Sequence, residues 1–248
     1  MRKPRVGAEI YNDLDDEVVN IFRILRDGRL AADLRRRLQL TPFARTELRD
    51  SYREPLDRID AAHKMIIRSF MGFGSASMTR THMTGFRSSS NRSEGRKRTT
   101  PATDWNHWPA AMEALTERLR GVVIENRDAV DVMSQHDGAH TLHYVDPPYV
   151  PSTRSSLHLK NGNCGHYYRH DMDDAGHRRL ARSLRKLKGM VLVSGYPCEL
   201  YDELYPGWQF LEKRHMADGA RARTERLWFN APAARALAQS RAQLTLDP

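Results

Sequence analysis

Cysteine is nearly absent. Cys164 and Cys198 are the only two in 248 residues, which excludes a disulfide framework and reads as a reducing compartment. No apolar run approaches the roughly 18 residues that a membrane span needs. The basic amino end, MRKPRVGAEI, lacks the apolar core of a secretory signal. The expectation is a soluble, cytoplasmic chain with no membrane partner. Repeats and heptads are also missing, which excludes solenoids and coiled coils. Acids are the minority charge, 31 against 40 basic residues, for a net charge of +9. That balance favours a polyanionic partner over a small acidic metabolite.

The patterns that are present alternate between strand and helix. AEIYN (8–12) reads as a short strand, and DLDDEVVNIFRILRD follows with Val18, Val19, Ile21, Phe22 and Leu25 at helical spacing. RLAADLRRRLQL continues as a second amphipathic helix, and DRIDAAHKMIIRSF (57–70) makes a third. WPAAMEALTERLRG (108–121) is a fourth; VVIENRD and TLHYV read as strands, with a short helix through Met133 after the first. MDDAGHRRLARSLRKLKG is helical, MVLVSG (190–195) is a buried-type strand, PCELYDELY opens another helix, and WQFLEKRHMA and ERLWFN close as strands. Such alternation predicts an α/β fold with a mostly parallel sheet and helices on both faces.

Two stretches lose all periodicity. Residues 71–103 are rich in Gly, Ser, Thr and Arg, and residues 150–170 form a second polar loop. Arg80, Arg87, Arg92, Arg96, Lys97 and Arg98 concentrate positive charge in the first loop. Most charge runs are solvated faces, but beside a nucleic-acid site these residues are candidates for phosphate contacts. Arg154, with His158 and Lys160, is a further candidate in the second loop. Cys164, His166, His170 and His177 make a cluster of zinc-ligand types, but their spacing matches no common finger, so no metal is expected. Met71-Gly72-Phe73-Gly74 follows a helix rather than a strand, the wrong context for a nucleotide-binding turn.

The decisive stretch is Asp146-Pro147-Pro148-Tyr149, directly after the strand TLHYV. In open α/β sheets ligands bind beyond the carboxyl ends of the strands. Two prolines stiffen the turn, since each fixes φ near −65° and restricts the residue before it. A carboxylate, a carbonyl and an aromatic face then stand together. An exocyclic nucleobase amine is a poor nucleophile because its lone pair is delocalised. If the Asp146 carboxylate and Pro147 carbonyl accept its two N–H bonds, the nitrogen can offer that pair to a methyl sulfonium. The same acceptors stabilise the developing positive charge. Tyr149 can stack on a base that has left the duplex.

This motif resembles the catalytic motif of amino-methyltransferases, and its surroundings resemble the Dam-like adenine-specific DNA methyltransferases of phages and restriction systems. EIYNDLDDEVVNIFRILRD is similar to that family's second motif, TGFRSSSNRS to part of its target-recognition insertion, and VVIENRDAVDVM to the strand before the catalytic one. MVLVSGYPCELYDELY and RTERLWFN are similar to its later strands, so the likeness covers roughly residues 8–231. It implies a Rossmann-like core and transfer of a methyl group from S-adenosylmethionine to the N6 amine of adenine in double-stranded DNA. It gives Asp146, Pro147 and Tyr149 the amine-binding and stacking roles, within a turn that includes Pro148. Asp13 is then a partner for the cofactor ribose and Asp128 faces the cofactor's adenine. Each of these acids also suits a helix start for electrostatic reasons alone.

The family's glycine-rich cofactor turn has no counterpart, since Gly7 is the single glycine before Asp13. The expectation is therefore a first strand missing from the sheet, through truncation, loss of function or completion by another chain. The expected organisation is a partial cofactor-binding core over 1–36, a target-recognition insertion over 37–107, the catalytic core over 108–235 and a tail over 236–248. The alternatives are a non-catalytic DNA-binding remnant and a cytosine-N4 methyltransferase.

Overall fold

Aspartate caps set most of the helix starts among the described residues. The computed structural model describes residues 5–73, 80, 83–88, 100–154, 168–217 and 221–246. They form two compact units, Met1–Arg127 and Asp128–Pro248.

The first unit opens with strand β1 (Glu9–Asn12) and helix α1 (Asp16–Leu25), whose N-cap Asp15 accepts a hydrogen bond from Glu17 N. Helix α2 (Gly28–Leu40) is capped in the same way by Asp27. A short helix α3 (Arg45–Asp50), absent from the sequence-based expectation, leads to α4 (Arg58–Met71). There Asp57 accepts from both Ile59 N and Asp60 N, satisfying two orphan donors of the first turn. Helix α5 (Pro101–Leu119) precedes strand β2 (Val122–Glu125).

Helix α5 begins seven residues before the expected Trp108. Thr100 caps it and Pro101 sits in its first turn, where a missing N–H costs nothing. Pro109 lies inside the helix. Its helix-breaking effect is offset by packing, because Trp105 is buried and its Nε1 donates to Thr41 O at 2.9 Å. Ile24, Leu34, Leu38, Ile66, Ile67, Met71 and Trp105 form the centre of this unit. Arg68 is buried among them, held by Glu17 at 2.9 Å and by Ser51 O at 2.6 Å.

The second unit contains α6 (Ala129–Gln135), β3 (Leu142–Val145), α7 (Asp174–Leu184), β4 (Met190–Gly195) and α8 (Glu199–Leu204). Strands β5 (Gln209–Ala217) and β6 (Arg221–Phe229) follow, then α9 (Ala231–Leu246), a helix through most of the segment expected to be a tail. Val145, Leu180, Leu184, Val191, Val193, Tyr201 and Trp228 make its core.

The fold is mixed α/β, but among the described residues the strands make two sheets rather than the single one expected. β1 and β2 pair in parallel, and a four-stranded sheet runs in the order β3-β4-β6-β5. β3 and β4 are parallel, whereas β4–β6 and β5–β6 are antiparallel. Among the described residues β3 is paired with β4 alone in the second sheet. Its inward residues His143 and Val145 are buried, while Leu142 and Tyr144 are exposed. No helix among the described residues is long and apolar enough to cross a membrane.

Candidate active site

β3 delivers its carboxyl end to the Asp-Pro-Pro-Tyr turn because its register against β4 is fixed, with Val145 opposite Val193 and both buried. A one-residue slip of β3 would turn Val145 out of the core. Asp146 follows the last paired residue and is exposed; Pro147 is buried, and Val150 is buried beyond the turn. Buried residues on either side thus hold an accessible carboxylate at the rim of the sheet.

Neighbouring strands meet the turn's two functional side chains. Ser194, on β4, donates from Oγ to Asp146 Oδ1 at 2.7 Å. The Tyr149 hydroxyl donates to Glu225 Oε1 on β6 at 3.1 Å. The Tyr149 ring meets Tyr196 edge-on, with centroids 4.6 Å apart and planes at 70°. The Arg223 guanidinium lies over the far partner of that pair, 4.9 Å from the Tyr196 centroid. Burial pushes the Tyr149 phenol well above its ordinary range, and the charges of Asp146 and Glu225 push it the same way. It is therefore a neutral hydrogen-bond donor at any working pH.

The far side of the turn is held by Arg154. Its Nε donates to Tyr149 O at 2.7 Å, its guanidinium forms a two-pronged pair with Asp171, and it lies over the Tyr168 ring. With a side chain only 9% exposed, Arg154 is turned toward Asp171 in this structure. The bidentate contact commits two of the five guanidinium N–H groups to Asp171, and Nε is committed to Tyr149 O.

The other expected site residues are distributed between the units. Asp13, in the first unit, follows β1; its Oδ1 accepts from Asp15 N at 2.9 Å and its Oδ2 from the Tyr11 hydroxyl at 3.1 Å. Each carboxylate oxygen has a second lone pair, so the geometry is compatible with ribose hydroxyls as additional donors. Asp128, in the second unit, is the N-cap of α6 and accepts from Val130 N. Arg80 is engaged by Glu17 and Glu54, at 3.2 and 2.7 Å. Arg87 is exposed, while its backbone N–H donates to Met71 O. Arg92, Arg96, Lys97 and Arg98 lie outside the described residues, as do His158, Lys160, Cys164 and His166.

Ser194, Tyr196, Arg223, Glu225 and Asp171 were not singled out from the sequence. One signal was available for Ser194. In MVLVSG the inward residues are Val191, Val193 and Gly195, so the serine shares the opposite face with Leu192. Placing it beside Asp146 requires the parallel register with β3, which no local pattern supplies.

A mixed α/β chain whose acid–proline–proline–tyrosine turn stands at a strand's carboxyl end has the arrangement of an amino-methyltransferase. Residues 2–218 match the family model of the D12 class N6 adenine-specific DNA methyltransferases, and the chain belongs to that family of enzymes. A comparison with curated proteins finds no match.

Proposed function

We propose that the protein methylates the N6 amine of an adenine flipped out of double-stranded DNA, with Asp146, Pro147 and Tyr149 as the residues that meet the base. The observation that carries this reading is the accessible Asp146 carboxylate, anchored through one oxygen by Ser194 at the carboxyl end of β3. Its other oxygen and the Pro147 carbonyl are suited to accept the two N–H bonds of the amine. Both acceptors gain strength as the nitrogen becomes positive, so they favour the transition state over the ground state. Pro148 keeps the turn stiff, and the neutral Tyr149 presents a ring face that tolerates a stacked base.

S-adenosylmethionine, when bound, supplies a methyl group on a positively charged sulfur. Asp13 and Asp128 are proposed to orient it, Asp13 through its remaining lone pairs toward the ribose. Arg87, Arg92, Arg96, Lys97 and Arg98 are proposed to neutralise DNA phosphates, which fixes position without specifying sequence.

Transfer of a radiolabelled methyl group to plasmid DNA tests the reading. Asp146→Ala is expected to abolish transfer while leaving DNA binding largely intact. Full activity in that variant would remove the proposed role, and DNA binding without any transfer by the parent would favour a non-catalytic remnant.

A further inference from the structure

We infer that Ser194 and Glu225 are positioning residues that latch the catalytic turn to two adjacent strands, one through its acid and the other through its tyrosine. The inference rests on the assignment of Asp146 and Tyr149 given above. It goes beyond that assignment by naming what fixes their orientation.

The strand register places both latches on the same face. Ser194 on β4 lies opposite Leu227 on β6, and Glu225 is two residues from Leu227. In a sheet, directly paired residues and residues two apart on one strand point to the same side. Asp146 reaches that face from the end of β3 and Tyr149 from three residues further on. The turn therefore folds over one face of the sheet and is gripped at both ends.

Each grip does specific work. A serine hydroxyl has one proton to donate, and at 2.7 Å from Asp146 Oδ1, against 3.3 Å from Val145 O, it serves the carboxylate. That bond selects one rotamer of Asp146 and assigns its oxygens different tasks, Oδ1 to the protein and Oδ2 to the amine. Glu225 accepts a hydrogen bond from the Tyr149 hydroxyl and stops the phenol ring from swinging on its two torsions. Tyr196 closes against the ring edge, and Arg223 holds Tyr196 from the other side while its Nη1 approaches Thr153 O at 3.4 Å. A two-proline turn fixes the backbone alone; the side-chain orientation comes from the neighbouring strands.

The test compares steady-state methyl transfer by the parent, Ser194→Ala, Ser194→Thr, Glu225→Ala, Glu225→Gln and Asp146→Ala. The alanine variants are expected to lose about tenfold or more in kcat with little change in KM for DNA, as misplacement of reacting groups does. Threonine and glutamine restore the donor and the acceptor and are expected to recover most of the loss. Transfer by Asp146→Ala would sink the reading of the turn itself. Ser194→Ala and Glu225→Ala as active as the parent, with Asp146→Ala dead, would sink the latch alone. A second measurement needs no turnover. In urea unfolding, Ser194→Ala is expected to shift the midpoint in the parent and not in the Asp146→Ala background. Equal shifts in both backgrounds would also overturn the inference.

Discussion

The Asp137 carboxylate lies 3.1 Å from Nε2 of the buried His143. The same carboxylate accepts from Lys188 N at 2.7 Å and Gly189 N at 3.0 Å. One acid in a connecting loop thereby ties the second residue of β3 to the turn that launches β4. Burial pulls the Asp137 carboxyl upward, but the bonds from Lys188, His143 and Gly189 outweigh it and hold it below its ordinary value. Asp137→Ala leaves two backbone donors and a buried imidazole without their partner, and about 2–3 kcal/mol of unfolding free energy should be lost. Chemical denaturation followed by Trp fluorescence measures this.

Arg154 gives a prediction that separates clamp from DNA contact. Arg154→Ala takes the guanidinium from the shielded carboxylate of Asp171, leaving it the bond from Met172 N, and removes a donor from Tyr149 O, so about 3 kcal/mol of stability should go with it. Arg154→Lys keeps the charge but not the fork and should also be impaired. Neither change should alter the salt dependence of DNA binding in protein that remains folded. Arg87→Ala should instead lower the slope of log K against log salt by about 1. Fluorescence anisotropy at several salt concentrations distinguishes the two.

Acid should loosen the second unit through His177. The ring is fully buried, Nε2 has no partner among the described residues, and Nδ1 lies 3.3 Å from the Tyr201 hydroxyl. Burial lowers its pKa below the ordinary 6.5, against the raising effect of Asp174, Asp171 and Asp173. In the window below about 6.5 the unfolded chain binds a proton that the folded chain refuses. Stability is thus full above that pH and falls as the pH drops, by at most about 1.4 kcal/mol per unit from this one group. His177→Gln should flatten that part of the profile, as read from unfolding midpoints between pH 7.5 and 5.

Gly195 ends β4 where a side chain has no room. A Cβ there would meet Tyr201 Cε2 at 2.7 Å, within the aromatic packing of Tyr201 and Trp228. Gly195→Ala should displace Tyr201 and cost about 1–3 kcal/mol, with methyl transfer falling because Ser194 precedes it. Thermal melting and turnover should drop together.

Much of the second unit was legible because its short apolar, β-branched runs are bounded by turn residues. MVLVSG coincides with β4, and TLHYV differs from β3 by one residue. The catalytic turn was legible because two consecutive prolines after an acid, at a strand's end, give up backbone donors that an ordinary turn would keep. Helix α3 escaped notice because RTELRD has a single buried residue, Leu48, and no side-chain cap. The start of α5 was missed because Pro109 argued for a boundary, and tertiary burial of Trp105 overrode it. The clamp made by Arg154 was not legible because a buried guanidinium and a solvent-facing one look alike in sequence, and its partner Asp171 is seventeen residues away. The latching residues lie 48 and 76 residues from their partners, beyond any local pattern.

Where α4 ends, Phe73 N donates to Gly85 O and Arg87 N to Met71 O, with Gly72 opposite Phe86 in an antiparallel bridge. This clasp returns the chain to the helix before the arginine-rich stretch begins. Because backbone bonds hold both Phe73 and Gly85, lengthening the connection between them should cost stability only as the logarithm of the residues added, leaving the end of α4 in place.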